Sequence, residues 1–120
     1  MNTRLYIIIG VMSMLLLASC GQRHAVIKLA EEFIEENATA PDELQQRDFG
    51  KLGQTNRLSD SLVSRLQQST GDFLKPGISY PAYHNGDTLY YIRMNYVCKN
   101  DTLSHTFYAD KELEHIVAVK

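Results

Sequence analysis

The sequence has no surplus of positive charge and no basic block. Twelve Lys and Arg stand against fourteen Asp and Glu, for a net charge of −2. The electrostatic footprint of a nucleic-acid binder is therefore missing, and no nucleic-acid partner is expected. Only two cysteines occur, Cys20 and Cys98, too few for the multi-bridge framework that holds many small secreted domains together. There is no GxSxG elbow, no SxxK pair and no Cys–His signature, so nucleophilic catalysis has no recognisable carrier. Glycine-rich phosphate loops are absent too, because "TGD" and "NGD" are turn chemistry. None of the four histidines, His24, His84, His105 and His115, forms an HxH or HxxxH pair. His105 and His115 can meet across the last hairpin, but two ligands do not make a metal site without a carboxylate beside them. These absences lead us to expect no enzyme activity, no metal and no dissociable cofactor. No internal repeat or low-complexity stretch is visible.

What is present begins with an uncharged run of fifteen residues, Leu5 to Ser19, behind the single charge of Arg4. As a helix it would reach roughly 22 Å, whereas a hydrocarbon core of about 30 Å takes around 20 residues to cross. The run is short for a span and suits the apolar region of a secretory signal peptide, with small residues before the cleavage point. Its end, Leu17-Ala18-Ser19-Cys20, resembles the lipobox of bacterial lipoproteins. The resemblance implies cleavage between Ser19 and Cys20, diacylglycerol on the Cys20 thiol and an acyl chain on the new amino group. One acyl chain binds a membrane only marginally, while two or three anchor it stably. Gly21 and Gln22 follow in place of the Asp that retains such proteins in the inner membrane. The resemblance thus implies the outer membrane, at its periplasmic face, with the cell surface as the alternative.

Residues 1–19 are accordingly expected to leave, 20–24 to form a lipidated tether, and 25–120 to fold as a single domain. Without Arg4 the balance is eleven basic against fourteen acidic residues, −3. "AVIKLAEEFIEENA" places Val26, Leu29, Ala30, Phe33 and Ile34 at the spacing of one helical face. Glu31, Glu32, Glu35 and Glu36 fall on the other, where water treats them alike. They therefore read as a solvated face and not as a pair of catalytic carboxylates with separated pKa values. A four-residue tether would span at most about 14 Å, which keeps the domain near the bilayer.

Residues 44–52 suggest a first strand. "RLSDSLVSRLQQSTG" suggests a second helix, with Ser59 as cap, a Leu58–Val63 staple and a stripe of Leu58, Leu62 and Leu66. A long connection rich in Pro and Gly follows. Then "LYYIRMNYVC" alternates, with Tyr90, Ile92, Met94, Tyr96 and Cys98 on one face and Arg93 and Asn95 on the other. Two further strands, "LSHTFYA" and "LEHIVAV", complete an antiparallel meander that needs a covering layer. The expected fold class is α+β, an N-terminal helix on a C-terminal meander with a short second helix. This pattern, over Ala25–Asn37 and Leu89–Val119, is similar to cystatin-like folds, the nuclear-transport-factor-2-like group included. Small Bacteroides-type lipoproteins resemble it as well.

Six of the seven tyrosines lie after Ser79. Tyr90 and Tyr91 are neighbours in a strand, so only one of them can face the core. The other, with Arg93 and Asn95 beside it, would offer a platform to a sugar, a peptide or a protein. Tyr91, Arg93 and Asn95 are therefore the candidate partner surface, and the expected function is a non-catalytic interaction module. An inhibitor or immunity-type module is the alternative that the cystatin-like resemblance implies. A third is an enzyme or small-ligand binder, which would need polar groups converging in a cavity between helix and sheet.

Overall fold

A computed structural model describes residues 21–68 and 71–120. The expected signal peptide and lipobox, with Ser19 and Cys20, fall on residues 1–20, outside the described residues. Residues 21–37 are helical (α1), so 21–24, expected as a tether, already belong to the helix. Val26, Ala30, Ile34 and then Ala38 recur at a spacing of four and are at most 1 % exposed. Leu29 and Phe33 flank that stripe and are partly buried. The four glutamates of "EEFIEE" are exposed, as the pattern requires.

Five strands follow: β1 (Gln45–Phe49), β2 (Gly53–Thr55), β3 (Leu89–Cys98), β4 (Asp101–Asp110) and β5 (Ile116–Val119). All pairings are antiparallel, in the order β1-β3-β4-β5, with β2 also on β3. The strand expected over 44–52 is thus shortened to β1, and β2, which lies beyond that range, shares the same edge of β3. Gln46 takes a left-handed backbone (φ 52°), which inserts an extra residue between the Gln45–Val97 and Asp48–Asn95 pairs. The β3–β4 hairpin closes on Lys99 and Asn100, both at positive φ. That is the two-residue turn whose twist matches its strands.

The side chains of β3 alternate as expected. Ile92, Met94 and Tyr96 are buried towards α1, with Phe107 and Ala109 of β4 and Val119 of β5 in the same cluster. All the buried residues there are apolar; no polar or charged residue is buried among the described residues.

The second helix, α2 (Asp60–Gln68), packs against the opposite face. Ser59 Oγ accepts the Leu62 amide at 3.1 Å, which makes it the cap. The stripe differs from the expected one. Val63 is the buried residue, with Leu58 and Leu66 partly buried beside it, whereas Leu62 is 36 % exposed. Val63 meets Leu89, Val117 and Ala118, so the helix turns towards the face that carries those residues and leaves Leu62 outside. β5 is consequently covered on both faces, and all four of its residues are buried. This is why its sequence is an unbroken apolar run and not an alternation. At the free edge of β5, Gln67 Nε2 donates to the Val117 carbonyl at 2.9 Å and blunts the edge.

The connection from residue 71 to 88 ties the two helices. Its backbone bonds the end of α1 through Thr39–Phe73 and Lys75–Asn37, and the Tyr83 hydroxyl donates to the Leu58 carbonyl before α2.

Candidate functional site

The odd-numbered residues of β3 face away from α1. α2 covers this face only at Leu89, and beyond that point it lies open. Tyr91, Arg93 and Asn95 are all exposed there, opposite Tyr108, Thr106 and Ser104 of β4. Arg93 Nη2 donates to Ser104 Oγ at 2.9 Å, which ties the guanidinium to β4. Of the neighbouring tyrosines, Tyr90 turns towards α1 and its hydroxyl accepts from Gln22 Nε2 at 3.3 Å. Tyr91 is 38 % exposed.

The position of the Tyr91 ring is set by a glycine. Gly53 pairs with Tyr91 across the β2–β3 ladder, and the ring lies over it. A Cβ at residue 53 would fall far inside contact distance of Cζ, Cε2 and Oη of Tyr91. On its other side the ring meets Tyr108, with centroids 6.1 Å apart and planes at 44°. Burial, and then the neighbouring Tyr91, hold the Tyr108 phenol above its ordinary range. It therefore stays a neutral hydrogen-bonding group at physiological pH.

Beside this pair opens a groove of about 440 Å³, lined by Tyr91, Tyr108 and the segment from Gln54 through Leu58. The lining offers two phenol rings (Tyr91, Tyr108), two amides (Gln54, Asn56), one aliphatic hydroxyl (Thr55) and one guanidinium (Arg57), and no carboxylate. Of the three residues expected as a partner surface, the structure brings Tyr91 into the groove. It leaves Arg93 and Asn95 on the flat sheet alongside. Gly53, Gln54, Asn56, Arg57 and Tyr108 were not anticipated. Tyr108 was within reach, since strand alternation from the buried Phe107 points it to the open face.

Tyr80 and Tyr96 pack among other aromatic side chains. Tyr96 is 3 % exposed and stacks on Phe73 at 5.9 Å, and Tyr80 lies 6.0 Å from Phe33. His105 sits on the α1 side, stacked on Phe73 at 4.0 Å and on Tyr96 at 5.7 Å. Its Nδ1 reaches the Lys120 carbonyl at 3.2 Å. His115 instead bonds Asp110 at 3.0 Å beyond the far end of the β4–β5 ladder, so the last hairpin does not bring the two histidines together. Among the described residues no cluster of His, Cys, Asp and Glu is arranged to hold a metal ion. Cys98, at the hairpin end, is half-buried and packs on the core.

No family, curated protein or solved structure matches this chain. No helix among the described residues is long and apolar enough to cross a membrane.

Proposed function

We propose that the mature chain is a non-catalytic binding module, anchored through acyl chains on Cys20 to the periplasmic face of the outer membrane. Its ligand lies along the open sheet face, centred on Tyr91. The observation that carries the reading is the exposed Tyr91 ring, held over Gly53 beside a groove rich in hydrogen-bonding groups. Aromatic faces flanked by amides and a guanidinium suit a polar, carboxylate-tolerant polymer such as a glycan, which offers C–H faces to the rings and hydroxyls to the amides. The buried residues between α1 and the sheet are all apolar. This favours a surface site over a helix–sheet cavity with converging catalytic groups.

The test is made in cells with the full chain. A photo-crosslinking residue at Tyr91 is expected to give a discrete adduct that the same residue at Glu36, beyond the opposite face, does not give. The same adduct pattern at both positions would refute the binding face. In the same strain, Cys20→Ala is expected to abolish fatty-acid labelling and to release the protein from the membrane fraction. Retention of both would refute the anchor.

A further inference from the structure

We infer that the mature protein stands on the bilayer in one fixed orientation, with the start of α1 and the β1–β2 corner against the phospholipid headgroups. The inference rests on the lipid-anchor reading. A lipoprotein with a loose tether can tumble above its membrane, and two features of this chain oppose that.

The first is the absence of slack. Residues 21–24 are helical, and Cys20 is one peptide bond away in sequence. These residues are fastened to the sheet. Arg23 donates from Nη2 to the Phe49 carbonyl at 2.8 Å and from Nε to the Gly50 carbonyl at 3.1 Å, while Gln22 donates to the Tyr90 hydroxyl. Acyl chains on Cys20 would therefore pull directly on a segment bonded to β1, to the β1–β2 corner and to β3.

The second is charge. The exposed charged residues near the start of α1 are Arg23 and Lys28, and those towards its end are Glu31, Glu32, Glu35 and Glu36. Cations at the start of a helix and anions at its end both oppose the helix dipole, so the arrangement does not serve the helix itself. It does complement a surface of anionic headgroups met by the start of α1. The acidic end is directed away. The binding groove begins at Gln54, four residues from Gly50 and so within about 14 Å of it. A ligand seated there would lie close to the membrane surface.

The experiment uses the full chain processed in a lipoprotein-making bacterium, purified and placed in vesicles of phosphatidylglycerol and phosphatidylcholine. Cys98→Ser leaves an acylated Cys20 without a free thiol, so a fluorophore can be attached through Lys51→Cys or, separately, Glu36→Cys. Residue 36 lies about 22 Å along α1 from residue 21, so quenching by headgroup-labelled lipid is expected to be at least about threefold stronger at 51 than at 36. A ten-residue Gly/Ser insertion after Cys20 is expected to bring the two towards equality, and Arg23→Ala to move them the same way. Equal quenching at 51 and 36 in the acylated, native-length chain overturns the inference alone. An N-terminal peptide whose mass shows an unacylated Cys20 overturns the anchor reading with it.

Discussion

Gly53→Ala should disturb the candidate site far more than it disturbs the fold. The new methyl would occupy the space of the Tyr91 ring, and its contacts are the outer atoms of a flexible side chain, not backbone. The ring can therefore swing aside. Losing a cross-strand aromatic contact costs about 0.2–1 kcal/mol, and an off-rotamer side chain about 0.5–1.5 kcal/mol. Replacing a strand glycine by alanine returns about 0.5–1 kcal/mol of chain entropy. The net loss should be close to 1 kcal/mol and no more than about 2 kcal/mol, with Tm falling by about 4–8 °C per kcal/mol for a domain of this size. In a Tyr91→Ala background the obstacle is gone, and the same alanine should stabilise by about 0.5–1 kcal/mol. Urea unfolding of the four proteins in this cycle should thus give a coupling of about 1–2 kcal/mol. Independently, the Gly53 Hα protons should resonate upfield of ordinary strand glycine protons in the native chain, and lose that shift in Tyr91→Ala. Equal effects of Gly53→Ala in both backgrounds would show that the ring does not rest on residue 53.

Phe107→Ala empties the centre of the core, where the ring is fully buried and edge-on to Phe33 and Phe73. A loss of about 3–5 kcal/mol is expected by urea titration. Ser59→Ala removes the α2 cap and should cost about 1 kcal/mol, with Ser59→Asp restoring most of it. Burial holds the His105 pKa below the ordinary 6.5, outweighing its bond to Lys120. The folded state then binds fewer protons than the unfolded one, so this stabilisation is complete above pH 6.5 and is lost as pH falls below it. Compared by thermal unfolding across pH 7.5 to 5, His105→Gln should show a shallower decline than the native chain.

The parts of this fold legible in the sequence are those fixed by local periodicity. The four-residue recurrence of Val26, Ala30 and Ile34 and the alternation of β3 each needed only one neighbouring surface to interpret. The side of β3 that carries Tyr91 followed from the same alternation. What was not legible depends on distant partners. Leu62 and Val63 are both apolar neighbours in α2, and only the position of Leu89 and Val117 decides which of them is buried. β2 is a polar tripeptide, "GQT", made into a strand by the backbone of β3. Gly53 looks like an ordinary loop glycine until Tyr91, thirty-eight positions later in sequence, is placed above it. The Arg57 and Asn56 side of the groove carries no local signal.

β5 is buried on both faces, with Ile116 and Val119 in the α1 cluster and Val117 and Ala118 in the α2 cluster. In the order of synthesis it follows every element it binds: α1, α2 and the hairpin all precede Ile116. A chain still emerging would leave part of both apolar clusters uncovered until these four residues arrived. Premature termination a few codons before the Ile116–Val119 segment should therefore be as damaging as loss of a helix, since it would strip the shared seam from both sides at once.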